Sequence, residues 1–455
     1  MTQNVLERID CLLGDAVERS VAAHHRRRLA RHGHRPAAAP AGGWATGGSF
    51  APRGGNRVEL LVDGGSVLPR MVEDVTAAQS HVHVSGWFFT PSFRMGEGGP
   101  TLRGLLAETA TRCAVRVLAW AGAPLPLFHP DRGEVRAMCD ELTRGTAVQM
   151  ELDAKERPMH CHHEKLVVVD DRVAYVGGLD LTSFAGNRLD HSVHETRVGL
   201  GWHDACLRIE GPAAADVAEH FRLRWPHALE RPLPSDGDGI DVQLVRTVPE
   251  HLYDGLRDGE FTILESYLRA LRSAERFVYL ESQFLWAPEI VRVLSDKLRE
   301  PPSDDFRVVV LLPAKPNNGQ DDTRGQIGVL IDADRDGGGA DRFLACTLFQ
   351  RGEHPSPVYV HAKVGIVDDE WLTVGSANLN GHSFFNDTEV NAVVRDPDFV
   401  RAARLQLWSE HFERDASGDA NEWWDLPGEK LRMLEGVSRR SRALWGPLNG
   451  LIVDG

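Results

Sequence analysis

Two short stretches of the sequence carry the same reactive side chains in the same order. Each has a histidine, a lysine two residues later and an aspartate five residues after the lysine, and the copies lie 198 positions apart. The matched positions are His163 and His361, Lys165 and Lys363, and Asp170 and Asp368. An imidazole can act as nucleophile, acid or base near neutral pH, and a lysine can hold phosphoryl oxygens. Two such copies around one phosphoryl group predict a phosphate-transfer site that needs no metal and no other cofactor.

A glycine-containing turn follows each stretch at the same spacing. The first turn reads GGLD (177–180) and the second reads GSAN (375–378). Glycine lets the backbone approach a ligand closely, and a small polar side chain can then reach the same pocket. The predicted phosphate pocket is lined by polar groups of these turns and by the motif lysines: Asp180, Ser376, Asn378, Lys165 and Lys363.

Alternating strands and helices must position these residues. Side chains alternate along a strand, so a histidine and a lysine two residues apart face the same side, and the apolar run after each lysine indicates a buried strand. The predicted strands are Val58–Val62, Val82–Phe89, Ala114–Trp120, Leu166–Val169 and Val173–Val176, then Phe277–Phe284, Val308–Leu312, Val364–Val367 and Trp371–Val374. The predicted helices between them are Ser66–Ala78, Thr101–Arg112, Thr262–Ser273 and Glu289–Leu298. This repeated order predicts an α/β fold of two homologous α-β-α sandwich halves, packed pseudo-symmetrically around one active site.

Composition divides the chain into five predicted regions. They are an N-terminal helical arm (1–35), an Ala/Gly/Pro-rich linker (36–56), a first half (57–230), a second half (231–414) and a C-terminal tail (415–455). The arm ends in a basic run, HHRRRLARHGHR, which could anchor anionic headgroups or polyphosphate. Runs of like charge are usually just solvated, so we favour a solvated helix end.

The overall charge and hydropathy restrict the class of protein. The 455 residues include 51 Lys+Arg and 66 Asp+Glu, a formal net charge of −15, which argues against nucleic acid as a partner. We expect no secretory leader from the first residues, and no apolar run approaches the roughly 20 residues that span a bilayer. We therefore expect a cytoplasmic monomer whose contact with membrane or lipid aggregates is at most peripheral.

Two sequence patterns suggest metal sites only weakly. The run HCHH (160–163) lacks a second cluster with zinc-ligand spacing, and the six cysteines form no CxxC pair. The segment DADRDG from Asp332 begins like a calcium loop, but its twelfth position is Phe343 rather than Glu. We predict no metal at either place.

With its two HxKxxxxD motifs the chain resembles the phospholipase D superfamily. The segments VGGLDLTSF, GWHDACLRIEGPAAADVAEHFRLRW, VYLESQFL and VYVHAKVGIVDDEWLTVGSANLNGHSF are similar to the catalytic region of eukaryotic-type phospholipases D. The resemblance covers roughly residues 58–414 and implies an enzyme that cleaves or exchanges phospholipid headgroups, by hydrolysis to phosphatidic acid or by transphosphatidylation. The alternatives are a cardiolipin-synthase-like phosphatidyltransferase and a nuclease or other non-lipid phosphodiesterase of the same fold.

The resemblance also implies a two-step mechanism. His163 is the expected nucleophile, which forms a phosphohistidine, and His361 is the expected general acid and base. Lys165, Lys363 and Asn378 are expected to hold the non-bridging oxygens and to stabilise charge in the transition state.

The same family pattern implies roles for several acidic residues. It places an acid some thirty positions after each motif histidine, which points to Glu195 for the first histidine and Glu389 for the second. Each would accept the Nδ1–H of its imidazole. Asp170 and Asp368 are implied to be structural, through ion pairs or turn capping. Asp180 departs from the asparagine that many members carry there.

Overall fold

The described part of the chain, in a computed structural model, comprises residues 5–125, 128–157, 160–183, 201–230, 239–316, 320–339, 341–350, 356–426 and 431–433. An N-terminal helix, α1 (Val5–Arg31), precedes the first α/β half. The elements of that half are β1 (Arg53–Val62), α2 (Asp63–Ala77), β2 (His81–Gly86), α3 (Leu102–Thr109), β3 (Ala114–Trp120), α4 (Arg132–Thr143), β4 (Gln149–Asp153), β5 (Leu166–Val169), β6 (Val173–Gly177), β7 (Gly201–His203), β8 (Ala205–Glu210) and α5 (Pro212–Arg224).

The second half repeats this alternation with additional short elements. Its elements are β9 (Ile240–Val248), β10 (Glu260–Phe261), α6 (Thr262–Ser273), β11 (Phe277–Glu281), α7 (Pro288–Arg299), β12 (Arg307–Leu311), α8 (Gln320–Asp336), β13 (Phe343–Gln350), β14 (Ser356–Val360), β15 (Val364–Val367), β16 (Trp371–Gly375), α9 (Gly381–Phe385), β17 (Glu389–Val394), α10 (Pro397–Phe412) and β18 (Leu431–Met433).

Each half is built on a mixed sheet, and the two sheets have the same strand order. The first runs β4-β3-β2-β5-β6-β8-β1, and the second runs β13-β12-β11-β15-β16-β17-β9 with β18 beside β13. In both, the first three strands are parallel and the remaining pairs are antiparallel. The motif strands β5 and β15 take the same central place, so the predicted α/β fold of two homologous halves is confirmed.

One apolar core is shared by the two halves, and each half has a second core on its outer face. Leu166 and Val168 of β5 point into the shared core, together with Ile366 of β15. Val167 and Val169 alternate to the outer face and pack in the cluster under α2, α3 and α4. Both faces of the motif strands are therefore buried, which explains why they are apolar throughout. The inner helices α5 and α10 contribute to the shared core, so each half is an α-β-α sandwich.

The arm and the segment after it lie against the second half. In the basic run of α1, Arg28 is buried and forms a two-pronged ion pair with Glu250, with N–O distances of 2.7 and 2.9 Å. The predicted solvated helix end is thus wrong for this arginine. The segment predicted as a linker also packs against the second half. Its residue Ala45 exchanges hydrogen bonds of 3.1 and 2.8 Å with Gln243 of β9. None of the described helices is both long enough and apolar enough to cross a membrane.

Candidate active site

The first motif histidine is held by a carboxylate from the other half of the protein. His163 Nδ1 lies 3.0 and 3.1 Å from the two carboxylate oxygens of Glu389, the first residue of β17. Because an ionised carboxylate only accepts, Nδ1 carries the proton and Nε2 keeps a lone pair for chemistry. Glu389 is completely buried, whereas the His163 side chain is 19% exposed. The imidazole is therefore fixed at Nδ1, and part of its side chain remains exposed.

Two serines complete the environment of Glu389. Ser383 Oγ donates to Oε1 over 2.6 Å, and Ser376 Oγ donates to Oε2. The Ser376 hydroxyl therefore supports this carboxylate, and its contact with a phosphate stays a prediction.

The second motif histidine has an equivalent partner in the first half. His361 Nδ1 donates to Asp204 Oδ2 over 2.8 Å, and the other oxygen of Asp204 accepts the Ala205 N–H at 2.9 Å. Burial alone raises the pKa of Asp204, but His361 and Lys363 outweigh it and lower that pKa below its ordinary value. Asp204 is thus an ionised, buried acceptor that sets the tautomer of His361.

The backbone explains why the partners are exchanged between halves. The N–H of His163 donates to Thr388 O at 3.0 Å, one residue before Glu389. The N–H of His361 donates to His203 O at 2.8 Å, one residue before Asp204. Each motif histidine is therefore docked on the strand end that carries its acid.

This arrangement corrects the predicted pairing. Glu389 was expected to serve His361, but it serves His163, and Asp204 takes the role at His361. Glu195, the predicted partner of His163, lies outside the described residues. Spacing along one half could not reveal a partner that comes from the other half. The available signal was the HD pair (203–204) directly before a strand, in the same setting as the TE pair (388–389).

The two motif lysines lie beside their histidines. Lys165 Nζ donates to His163 O over 2.6 Å and lies 3.3 Å from Asp180 Oδ2, while Lys363 Nζ donates to His361 O. The ion pair explains how an aspartate is tolerated in a pocket predicted to hold an anion. Burial, followed by the charge of Lys165, lowers the pKa of Lys363 to about 7, although Asp204 opposes the shift.

The turn residues bring the two halves into contact. A Cβ added to Gly178 would lie 2.3 Å from Asp204 Oδ1 and 3.1 Å from Lys363 Cδ, so only glycine fits there. In the second turn, Asn378 is buried, and its amide oxygen accepts from Gln283 N over 3.3 Å. The GGLD turn of one half thus closes on the lysine of the other.

The motif aspartates lie at the far end of the motif strands. Asp170 accepts the backbone N–H groups of residues 79–81 at 2.8–2.9 Å, and Asp368 accepts those of residues 275–277 at 2.6–2.8 Å. Both residues have positive φ angles, 54° and 55°. They cap turns that fasten β5 to β2 and β15 to β11.

Behind Asp204 lies a buried charged network that sequence reasoning missed. His203 donates from Nδ1 to Asp63 over 2.9 Å and from Nε2 to Glu281 over 2.7 Å. Glu281 also accepts from His411 Nε2 at 3.0 Å. Burial lowers the pKa of His203, but Glu281 and Asp63 outweigh it and raise that pKa well above its ordinary value. A buried imidazolium therefore lies next in sequence to the acid that orients His361.

The site thus contains two imidazoles at the junction of two homologous halves, and each is oriented by a buried carboxylate and flanked by a lysine. Groups of these types can carry out phosphoryl transfer. Comparison with known proteins agrees with this type of chemistry. Residues 267–415 match the family described as cardiolipin synthase, phospholipase D-like domain. This match, over part of the chain, supports membership of the phospholipase D superfamily.

Named relatives cover most of this chain at low identity. The major cardiolipin synthase ClsA of Bacillus subtilis is 25% identical over 364 residues, which cover 75% of this chain and 66% of that protein. Phospholipase D A of Dictyostelium discoideum is 24% identical over 463 residues, which cover 80% of this chain and 36% of that protein. The crystal structure of phosphatidylserine synthase from Haemophilus influenzae matches with a TM-score of 0.55 at 10% identity, over 84% of this chain and 89% of that one. The last match supports the fold alone.

Proposed function

We propose that the protein cleaves or exchanges phospholipid headgroups through a phosphohistidine intermediate on His163. The observation that carries the proposal is the pair of imidazoles whose Nδ1 atoms are bound by Glu389 and Asp204 at 3.0 and 2.8 Å. Both rings therefore keep Nε2 for the reaction, and two lysines supply positive charge beside them.

In the first step, His163 Nε2 forms a bond to phosphorus as the bond to the headgroup oxygen breaks. His361 gives its Nε2 proton to that oxygen, so the headgroup leaves as a neutral alcohol. Burial, and then the charge of Lys363, lower the pKa of His361 to about 4 in the empty site. An anionic phosphodiester offsets the lysine charge and stabilises the imidazolium, which raises the pKa of His361 toward the value that an acid needs.

In the second step, His361 is the base. An acceptor hydroxyl loses its proton to His361 Nε2 and attacks phosphorus, the bond between phosphorus and His163 breaks, and the free imidazole is restored. Water gives phosphatidic acid, a simple alcohol gives a phosphatidyl alcohol, and a hydroxyl of a second lipid gives a lipid dimer. Lys165, Lys363 and the amide of Asn378 are the groups we assign to the non-bridging oxygens.

The choice of a lipid substrate rests on the relatives and on charge. The named relatives include phospholipases D and cardiolipin synthases, and both act on phospholipid phosphodiesters by the terms of their names. The formal charge of −15 is unfavourable for a nuclease, whose substrate is a polyanion. We retain the sequence-based expectation of a cytoplasmic monomer that meets lipid from the water side.

The test offers several substrates in one assay. The full chain is incubated with vesicles of phosphatidylcholine and phosphatidylglycerol in the presence of ethanol, and a DNA oligonucleotide is offered separately. Phosphatidylethanol or phosphatidic acid supports headgroup exchange, and cardiolipin from phosphatidylglycerol supports the phosphatidyltransferase alternative. DNA cleavage without lipid turnover would overturn the proposal.

Matched variants tie the activity to this site. His163→Ala should abolish all product formation, because no nucleophile remains. His227→Ala removes a histidine whose side chain is 67% exposed and should leave turnover unchanged. Full activity of the His163 variant would refute the covalent mechanism.

A further inference from the structure

A second cluster of buried polar groups lies beside the active site and has no role in the proposed reaction. His160 Nδ1 lies 2.9 Å from His382 Nδ1 and 3.4 Å from Asp387 Oδ1, and all three residues are buried. The three potential ligand atoms lie within 4.8 Å of one another. His160 and His382 are 222 residues apart in the chain, so only the fold brings them together.

The spacing of these atoms fits a small metal ion. A tetrahedral zinc ion with bonds of about 2.0–2.1 Å needs its ligand atoms about 3.3–3.4 Å apart. The 3.4 Å edge between His160 and Asp387 has that length, and the 2.9 Å edge between the two imidazoles opens to it with a shift of about half an ångström. Two imidazoles and one carboxylate are the ligand types of catalytic zinc sites, which leave one position open.

Ordinary hydrogen bonding accounts for this cluster less well than for the network around His203. There, Nδ1 and Nε2 of His203 each face a different carboxylate, so every proton has its own acceptor. Here, Nδ1 of His160 lies close to both Asp387 Oδ1 and Nδ1 of His382. The three atoms converge, and a proton at His160 Nδ1 would have two competing acceptors. Convergence of lone-pair atoms on one point is what a cation requires.

Hydrogen bonds from neighbouring groups fix the orientation of the Asp387 carboxylate, as they do for the ligands of metal ions. Asp387 Oδ1 also accepts the Cys161 N–H at 3.0 Å, and its own N–H donates to His382 O at 2.9 Å. Such outer hydrogen bonds fix the ligands of metal sites. The cluster also lies two residues before Glu389, and His160 is three residues before His163.

We propose that His160, His382 and Asp387 bind one divalent transition-metal ion of the zinc class, which joins the two halves beside the catalytic centre. This departs from our sequence-based expectation, because the HCHH run supplies only one of the ligands and the other two come from the second half. The ion would position the segments that carry His163 and Glu389, and it takes no part in the bond-making steps. The inference does not depend on the proposed reaction.

The experiment measures metal binding directly on the full chain, without an affinity tag. The protein is treated with a chelator and dialysed, then titrated with Zn²⁺ by calorimetry, and its thermal unfolding is recorded with and without Zn²⁺. We expect one ion per chain and a higher melting temperature. Titration with Co²⁺ should give the visible absorption of a tetrahedral site without a thiolate charge-transfer band, because the ligands are nitrogen and oxygen. Absence of stoichiometric binding would overturn the proposal, and a thiolate band would refute this ligand set.

Variants locate the ion. His382→Gln should weaken Zn²⁺ binding by more than the roughly 10–100-fold that outer-shell changes cost. His129→Ala alters an exposed group with Asp131 and Glu134 that could also attract metal, and it should leave the affinity unchanged. If His382→Gln fails to fold, His160→Gln tests the same site. The Zn²⁺ titration of the wild-type protein tests the proposal without any variant. Binding lost in the His129 variant and kept in the others would contradict the proposal.

Discussion

Asp204→Asn tests the crossed pairing of the catalytic histidines. The wild-type carboxylate accepts the Nδ1–H of His361 over 2.8 Å, which leaves a lone pair on Nε2. An asparagine can donate its amide N–H to Nδ1, and the ring proton then moves to Nε2. In that tautomer His361 is a poor acid for the first step, because loss of the Nε2 proton would leave an imidazolate, and it has no Nε2 lone pair to accept a proton in the second step.

The structure sets the size of the effect. A buried hydrogen bond to a charged group contributes about 1.5–3 kcal/mol, which corresponds to roughly 10–150-fold in rate. The wrong tautomer adds to this loss, as the roughly 10⁴-fold effect of the same change in a serine protease triad illustrates. Asp204 also supports the charge of Lys363, whose pKa is already lowered to about 7 by burial and then by Lys165. We therefore expect the steady-state kcat to fall by about 10²–10⁴-fold.

A rapid-mixing assay of p-nitrophenolate release from phosphatidyl-p-nitrophenol distinguishes the two steps, because this leaving group departs without a proton from His361. Asp204→Asn should retain a burst of p-nitrophenolate close to one equivalent, followed by a slow steady state. Glu389→Gln should lose the burst, because it disturbs the nucleophile His163. Glu151→Gln is the control, because Glu151 is partly exposed and pairs with His227, which is 67% exposed. Activity of Asp204→Asn within threefold of wild type, or a burst in Glu389→Gln and none in Asp204→Asn, would refute the pairing.

Three further predictions follow from individual contacts. The value of kcat/KM should decline above about pH 4, where His361 of the free enzyme loses the proton that the first step needs. It should decline more steeply above pH 7, where Lys363, with its pKa lowered to about 7 mainly by burial, loses its charge, and Lys363→Arg should remove this break near pH 7. Gly178→Ala should reduce kcat at least tenfold, because the new methyl group would lie 2.3 Å from Asp204 Oδ1. Arg28→Ala should lower the free energy of unfolding in urea by about 1.5–3 kcal/mol, because Glu250 loses one of its two arginine partners and keeps Arg157 at 2.8 Å.

Each of these predictions has a control or a contrary outcome within the chain. A pH–rate profile with no change of slope near pH 7 would contradict the role of Lys363. Gly381→Ala adds a methyl group where no atom lies within 4 Å, and it should be silent. Arg257→Ala removes an arginine that is 76% exposed and pairs with Asp254, so its cost in urea should stay below about 1 kcal/mol. Equal costs for the two arginine variants would show that the arm contributes little.

The fold was predictable wherever local pattern decides structure. The predicted strands Leu166–Val169 and Val364–Val367 coincide with β5 and β15, because an apolar run buried on both faces is a strong local signal. The strand predicted as Val82–Phe89 ends earlier, at Gly86. The missing side chain of Gly86 leaves room for the Phe89 ring, which would lie 2.9 Å from an added Cβ, so the chain folds back over the strand.

The site was predictable only within each half. The histidines, lysines and turns repeat at one spacing and could be found from the sequence alone. Asp204 could not be assigned as a partner of His361 on that basis, because their contact joins residues 157 positions apart in different halves. The same holds for His160 and His382, whose contact exists only once the halves have packed.

The most direct test of the account identifies the covalent intermediate. Wild-type protein is mixed with radiolabelled phosphatidylcholine, quenched within milliseconds under conditions that preserve phosphohistidine, digested, and analysed by mass spectrometry. The account predicts an acid-labile, base-stable phosphatidyl adduct on the peptide that contains His163, which disappears when ethanol is added as acceptor. An adduct on His361, or turnover with no adduct on either histidine, would contradict it.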